Sequence, residues 1–436
     1  MNQLDSELVL GALASEDYKP TESVQDADLV LLNTCSVREH AEDKVYSALG
    51  TLKRLKRKRP ELVIGVVGCM AQMDREAILS KAPHVDLVLG PGQIDHLPAF
   101  VRQVLGGENG RRKVLATEQK EVRFARNIRA RPDPNQAFVE VIRGCDVHCT
   151  FCVVPMTRGP EYSRRPEDVL AEVQALADDG VREVTLLGQT VDHYGKDFRN
   201  GYGLGELLRD VASIDGIVRV RFITSHPRYL DDRILAAISD TPKVCPYLHM
   251  PLQSGSDAVL ARMKRKYDMA RYRDRVARAR ETIPGVSIAS DFIVGFPGET
   301  AEDFEASVRA ILEFRFSNSF IFKYSPRPGT AAVEFPDDVP PEEKKRRNQV
   351  LLAVTNRVRE EEHRSMLGSL VDVLVEGISK RDPAKYMGRT RTNHIVCFDG
   401  QPELVGQEVS VKLASATTLT LFGERTKAEA TDIVRG

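Results

Sequence analysis

The sequence predicts an α/β protein in three parts: an N-terminal parallel α/β sandwich, a partial (β/α)6 barrel and a small C-terminal β-barrel. Three observations carry this prediction. The chain has 436 residues, too many for one ordinary core and close to three domains at roughly 150 residues each. Apolar strand-like runs alternate with helical stretches before residue 106 and again from about Phe138 to Pro326, the pattern of parallel strands covered by helices. From Ser369 onward the texture changes to short β-like stretches, whose length and turn spacing fit a small antiparallel barrel.

The first part is expected over 1–115. A helix over Leu4–Ala14 comes first, with no strand ahead of it. Strands follow at Asp28–Thr34, Leu62–Gly68 and Val85–Gly90, and helices at Val37–Arg59, Met73–Lys81 and Ile94–Leu105. A stretch of little period, 106–136, contains the linker, placed at 116–136; its Gly, Arg, Asn and Pro suit no packed element. The second part, 137–366, has strand candidates Phe138–Arg143, Glu183–Gly188, Val218–Thr224, Tyr247–Leu252, Val286–Val294 and Ser319–Tyr324. Helices are expected at Pro166–Ala177, Asp232–Ile238, Ala270–Thr282 and Ala301–Phe314. Six βα units imply an incomplete relative of the eightfold barrel. A charged helix over Pro340–Met366 closes this part, and 367–436 forms the last.

Composition narrows the class of function. Lys and Arg number 62 against 63 Asp and Glu, so contact with nucleic acid has to come from a local patch. No apolar run approaches the ~20 residues of a membrane span, and Met1–Glu7 lacks the basic and apolar regions of a signal peptide. A soluble cytoplasmic protein is expected.

There are seven cysteines, a poor basis for a disulfide framework; clustered thiols of a reducing compartment serve metals or catalysis. Three lie within eight residues as Cys145-x3-Cys149-x2-Cys152, directly after the first barrel strand. Three thiolates hold three irons of a [4Fe–4S] cube and leave the fourth iron open to another ligand. A zinc site, or buried structural cysteines, is the competing reading; zinc favours paired C-x2-C spacing and four ligands. His148 lies in the loop, but the triplet is sufficient without it. Cys245 and Cys397 have no such neighbours and are expected to be structural. Cys35 and Cys69 each follow a strand, at the end of a parallel sheet where ligands bind.

Cys145-x3-Cys149-x-Phe151-Cys152 resembles the signature of radical S-adenosylmethionine (SAM) enzymes. The resemblance implies that the open iron chelates SAM and that an electron from the cluster cleaves it to a 5′-deoxyadenosyl radical. Ser290-Asp-Phe-Ile-Val-Gly-Phe-Pro-Gly-Glu299 looks like the strand that contacts the SAM adenine. Leu187-Gly-Gln189, Ser225-His-Pro227 and His249-Met-Pro-Leu-Gln-Ser-Gly255 resemble further strand ends of that barrel. Gln189, Ser225, Gln253, Asp291 and Gly295 are the cofactor-binding candidates this implies.

The chain as a whole resembles the methylthiotransferases, closest to the tRNA enzymes that act on N6-dimethylallyladenosine. Asn33-Thr-Cys35-Ser-Val-Arg-Glu39, Val66-Val-Gly-Cys69-Met-Ala-Gln72, Cys152-Val-Val-Pro-Met-Thr-Arg-Gly159 and Gly180-Val-Arg-Glu-Val-Thr-Leu-Leu-Gly-Gln189 carry the likeness, with Gly388-Arg-Thr390 and Asn393 opening a third domain of the RNA-binding TRAM type. It implies a second, auxiliary [4Fe–4S] cluster on Cys35 and Cys69. One SAM methylates sulfur there and a second SAM supplies the radical. The partners it implies are a tRNA anticodon stem-loop, an electron donor and a sulfur donor, with no membrane. Sister enzymes acting on threonylcarbamoyladenosine or a ribosomal-protein aspartate remain as alternatives, as does a non-catalytic RNA-binding iron–sulfur protein.

The family's N-terminal domain carries three cysteines, the first ahead of an Asp-Ser-Glu-containing helix. Here Asp5-Ser-Glu7 comes at once, so the given start is expected to be internal to the family's pattern; the alternative is a protein that lacks this ligand and binds a defective auxiliary cluster.

For RNA, Lys53-Arg54-Leu-Lys56-Arg57-Lys58-Arg59 holds six basic residues in seven. The run suits a helix C-terminus and equally a phosphate backbone. Arg111, Arg112, Lys113, Arg126, Arg129 and Arg131 add charge to the linker. The resemblance places RNA binding on the third domain, with Arg389 and Arg391 as candidates. A target base in a single-stranded loop is open to extrusion into a pocket.

Overall fold

The computed structural model describes residues 1–35, 39–106, 113–118, 131 and 133–426, with the side chains of 39–41 left aside. Ser36, Val37 and Arg38 of the Asn33–Glu39 stretch, and Arg111, Arg112, Arg126 and Arg129, lie outside them. The chain divides into two compact units. The first comprises 1–179, 187–189 and 325–334; the second comprises 180–186, 190–324 and 335–436.

The first unit opens with helix α1 (Asn2–Ala14), then β1 (Leu29–Thr34), α2 (Glu39–Lys58), β2 (Val63–Gly68), α3 (Cys69–Asp74), α4 (Glu76–Lys81), β3 (Leu87–Leu89), α5 (Leu97–Leu105) and β4 (Val114–Ala116). The strands form one parallel sheet in the order β1-β2-β3-β4. Alternation along β2 explains the sandwich. Val63 and Val67 pack with Val9 and Leu13 of α1 and with Leu97, Val101 and Val104 of α5. Ile64 and Val66 face the other way, onto Leu49 and Leu52 of α2 and Met70 and Ile78 of α3 and α4. Buried on both faces, such a strand reads as an unbroken apolar run.

Two expectations need correction here. The helix expected over Met73–Lys81 is two short helices, broken at Arg75, whose φ is 41°. The linker expected to begin at 116 is preceded by a three-residue strand, β4, absent from the expected elements, which completes the sheet against β3.

The same unit continues with β5 (Gln136–Glu140), β6 (Ile142–Arg143), α6 (Val154–Arg158), β7 (Tyr162–Ser163) and α7 (Pro166–Asp178). β6 and β7 pair antiparallel, Ile142 with Ser163 and Arg143 with Tyr162; the cysteine loop runs between them.

In the second unit β8 (Glu183–Leu187), α8 (Leu204–Ser213), β9 (Arg219–Phe222), α9 (Asp232–Asp240), β10 (Tyr247–His249), α10 (Asp257–Arg262), α11 (Met269–Thr282), β11 (Ser287–Val294), α12 (Ala301–Phe314) and β12 (Asn318–Lys323) repeat the strand–helix alternation. β8 pairs with β9, and β10, β11 and β12 with one another, all parallel. A bridge between Val220 and Val244 joins the two sets. Helix α13 (Pro341–Ser365) leads to β13 (Leu370–Ile378), β14 (Tyr386–Thr390), β15 (Ile395–Phe398), β16 (Glu408–Ala416) and β17 (Leu421–Arg425). These close as a five-stranded barrel in the order β13-β14-β15-β17-β16 around Val373, Val375, Val396, Phe398, Val411 and Leu413. No helix among the described residues is long and apolar enough to cross a membrane.

Candidate active site

The cysteine loop is shaped by its backbone. Gly144 has φ 78°, and a Cβ there would stand 2.0 Å from the Pro160 carbonyl oxygen and 2.5 Å from that of Gly159. Only glycine fits so close an approach. The Cys145 N–H donates to the Gly159 carbonyl at 3.2 Å, the Cys152 N–H to that of Cys149 at 3.1 Å, and the Ala332 N–H reaches in to the Thr150 carbonyl at 2.8 Å. Cys145 is buried, Cys149 and Cys152 half-buried. Of the loop's other possible donors, Asp146 Oδ1 accepts the Glu161 N–H at 3.1 Å, and His148 is exposed.

Cys35 and Cys69 sit side by side at the C-terminal edge of the first sheet. Thr34 and Gly68 are register partners, and each cysteine is the next residue. Gly68, φ 98°, is again obligatory, since a Cβ would lie 2.4 Å from the Thr34 carbonyl oxygen. Helix α3, which starts at Cys69, packs against α6, which starts two residues after Cys152. Arg158, last in α6, forms a two-point ion pair with Asp5 of α1, Nη1 to Oδ1 at 3.2 Å. Burial pushes the Cys69 thiol up, and the Arg158 cation works against that rise.

In the second unit the strand ends carry polar atoms that the protein leaves unsatisfied. Ser225 Oγ, His226 Nε2 and Gln253 Oε1 are buried without a hydrogen-bond partner among the described residues. In the first unit both amide atoms of Gln189 are in the same state. Such groups are rare in native proteins unless a ligand is to meet them. Thr224 and Gln253 also hold φ near 70°, a strained region for side chains larger than glycine that is tolerated mainly at functional sites. Burial, with Arg265 and Arg228 adding to it, lowers the His226 imidazole to about 2, so it stays neutral. Asp291 is committed to His249, Oδ1 to Nε2 at 3.0 Å. Gly295, φ 69°, gives its N–H to Glu299 at 2.6 Å and lies against the Lys344 stem.

Comparison with known proteins matches three family models in order: uncharacterized protein family UPF0004 at 1–90, the radical SAM superfamily at 139–311 and the TRAM domain at 364–425. A tRNA-2-methylthio-N(6)-dimethylallyladenosine synthase of Rhodopirellula baltica is 45% identical over 97% of this chain and 93% of its own. Proteins of the same name from Haemophilus influenzae and Pasteurella multocida are each 46% identical over 98% of this chain and 91% of theirs. The chain belongs to the tRNA-2-methylthio-N(6)-dimethylallyladenosine synthase family. Among solved structures, the radical SAM methyltransferase TsrM from Kitasatospora setae, with cobalamin and a [4Fe–4S] cluster bound, shares 15% identity at a TM-score of 0.55, covering 76% of this chain and 73% of that one. The cobalamin-dependent radical SAM enzyme OxsB gives a TM-score of 0.52 at 13% identity, covering 70% of this chain and 48% of that one. Both show the shared fold.

For a synthase of this family the loop's three cysteines supply the sulfur donors that suit an iron–sulfur cluster. Among the described residues no group of three His, Cys, Asp or Glu side chains meets as a metal site; the structure fixes the loop through its backbone at Gly144. Gly144→Ala is therefore expected to lower stability by more than about 1 kcal/mol and to reduce the iron held after anaerobic reconstitution, read by denaturant unfolding and iron assay.

The basic candidates divide. Arg389 is ion-paired with Glu376 at 3.0 Å and a third of its side chain is exposed. Arg391, half-buried, donates through Nη2 to the carbonyls of Pro242 and of Val244, the latter at 3.1 Å. The Arg131 side chain is buried, in an ion pair with Asp179 at 2.7 Å. Of the run in α2, Lys56 pairs with Asp86 and Arg59 with Asp28 and Glu61, while Lys53, Arg54, Arg57 and Lys58 are exposed.

Proposed function

We propose that this protein is a tRNA methylthiotransferase that converts N6-dimethylallyladenosine beside the anticodon to its 2-methylthio derivative. The observation that carries the reading is the sulfur-offering loop at Cys145, Cys149 and Cys152, in a chain that matches its named relatives over nearly its whole length. C2 of adenine is an unactivated C–H position that no general base deprotonates near neutral pH, and the radical chemistry of a SAM-bound [4Fe–4S] cluster bypasses that acidity.

The chain's own residues hold, orient and shield. Cys145, Cys149 and Cys152 would hold the SAM-binding cluster, and Cys35 and Cys69 would hold the auxiliary one. Ser225 and Gln253 offer their unsatisfied polar atoms to SAM, Asp291 lies on β11 and Gly295 directly follows it, and Gln189 is a SAM candidate through its Leu187-Gly-Gln189 motif. Gly295 acts through backbone shape, since its N–H already serves Glu299. Arg389, a third of its side chain exposed on the C-terminal barrel, meets the tRNA, while Arg391 ties that barrel to the carbonyls of Pro242 and Val244. An electron donor and a sulfur donor complete the turnover, and the setting is cytoplasmic.

The test is anaerobic reconstitution of the full chain with SAM, a reductant and an anticodon stem-loop carrying N6-dimethylallyladenosine. Mass spectrometry is expected to show the methylthio nucleoside and 5′-deoxyadenosine. Cys149→Ala is expected to give neither. Cleaved SAM with an unchanged nucleoside in this stem-loop, and methylthio transfer to a ribosomal-protein aspartate or a threonylcarbamoyl stem-loop instead, would overturn the assignment.

A further inference from the structure

The inner wall formed by β10, β11 and β12 carries His249, Ile293, Phe320 and Phe322, to which the reading above gives no task, beside Asp291 of the SAM-binding strand. His249 and Ala289 are register partners, as are Asp291 and Phe320. In a parallel pair, partners point to the same side. His249, Asp291 and Phe320 therefore share one face, and the contacts agree: His249 Nε2 lies 3.0 Å from Asp291 Oδ1, and its ring meets Phe320 edge to face at 6.0 Å between centroids. The opposite face, with Leu248, Ile288, Ser290, Phe292 and Val294, is completely buried.

Phe320 is 45% exposed. A lone exposed apolar side chain on an outer surface needs no explanation. Here the outward face is the one sealed under helices, and the open phenyl ring stands on the other. Ile293 and Phe322 lie on that same face and are half-buried. The face thus offers an aromatic and aliphatic surface with one fixed polar element, the His249–Asp291 pair.

We infer that Phe320 is the specificity residue of this enzyme, receiving the apolar N6 substituent of the target adenosine. The inference rests on the tRNA reading above and deepens it. A dimethylallyl group is branched, uncharged and without hydrogen-bonding atoms, so a phenyl ring flanked by Ile293 and Phe322 matches it. A threonylcarbamoyl group ends in a carboxylate. On this wall it would face the Asp291 carboxylate, a like-charge juxtaposition that disfavours it. The wall therefore discriminates both by what it attracts and by what it repels.

The test uses the full chain, anaerobically reconstituted, and three anticodon stem-loops that differ only at the target base: dimethylallyladenosine, adenosine and threonylcarbamoyladenosine. Equilibrium binding is read by fluorescence anisotropy. The wild-type protein is expected to favour the dimethylallyl form over plain adenosine by about tenfold or more, the scale on which an apolar pocket distinguishes small apolar groups. Phe320→Ala is expected to bring that ratio to within about twofold while leaving the affinity for plain adenosine nearly unchanged. Phe320→Leu, which keeps an apolar surface, retains most of the preference. Should the alanine variant not fold, Phe320→Thr, a residue suited to strands, carries the same expectation. A wild-type ratio preserved in Phe320→Ala, or in Phe320→Thr, overturns the inference alone, provided the wild type makes the methylthio product. A wild type that binds none of the stem-loops and makes no product overturns the functional reading beneath it.

Discussion

Replacing Asp5 by leucine is expected to destabilise the first unit by about 3–5 kcal/mol, the range for breaking a buried ion pair by removing one partner. Arg158 and Asp5 are 4% and 2% exposed, so neither charge has water to fall back on. Burial works against the Arg158 cation, and Asp5 is the first of the groups that hold its charge in place, with Cys69 next. Arg158→Met leaves the Asp5 carboxylate stranded and is expected to fall in the same range. The double variant Asp5→Leu/Arg158→Met is expected to recover most of either loss, because it buries no unpaired charge. Urea unfolding of the four proteins reads this cycle. A second readout separates electrostatics from packing. The Arg158 cation favours the Cys69 thiolate, so without it Cys69 in the metal-free protein is expected to react more slowly with iodoacetamide at fixed pH. Additive losses in the double variant, or unchanged alkylation, would remove the coupling argued here.

What could be read in the chain beforehand follows from how local each signal is. β2 is buried on both sides and β1 half-buried on both, so they stand out as the runs Val63–Gly68 and Leu29–Thr34. Helix α12 was legible to the residue, since Thr300 and Asp303 form a capping box at its start. The cysteine triplet was legible because its spacing lies within eight residues. The break at Arg75 was not: neither glycine nor proline marks it, and a residue in so unusual a conformation is imposed by the packing of α3 and α4 on the sheet. β4 is too short to show a period and lies beside a stretch rich in glycine and charge. The largest omissions are partners distant in sequence. Asp5 and Arg158 are 153 residues apart, and Arg219 reaches a carboxylate 189 residues away. Arg391 was legible as a basic residue of the third domain, and only the fold reveals that its Nη2 bonds the carbonyls of Pro242 and Val244. Within the barrel, Ser225 and Gln253 were legible as candidates by resemblance, but their unsatisfied atoms are a property of the folded strands.

Arg219→Met is expected to loosen the C-terminal barrel from the strands that carry it and to lower the stability of the second unit by about 3–5 kcal/mol. Arg219 is completely buried. Its Nε donates to Glu408 at 2.7 Å, Nη1 to the Arg389 carbonyl at 2.7 Å and Nη2 to the Asp372 carbonyl at 3.2 Å. Two positions along β9, Arg221 donates to the carbonyls of Thr390 and Arg391 at 2.8 and 2.9 Å and pairs with Glu183 at 2.9 Å. Arg391 returns the contact from the other side. The guanidinium fork supplies several donors in fixed directions, so methionine fills the volume but leaves carbonyls and carboxylates unsatisfied, the expensive half of a lost hydrogen bond. Lysine at 219 keeps the charge without the fork and is expected to rescue only part of the loss. The effect should appear in two measurements. Limited proteolysis should cut faster around Met366–Ser369, where α13 gives way to β13. Stem-loop affinity should fall for modified and unmodified bases alike, because the surface bearing Arg389 is no longer held in register with the barrel wall. That uniform loss distinguishes Arg219 from Phe320, whose removal is expected to flatten the preference while sparing the affinity for plain adenosine. A variant that is as stable and as protease-resistant as the wild type would show that the C-terminal barrel is held by its apolar contacts rather than by this interlock.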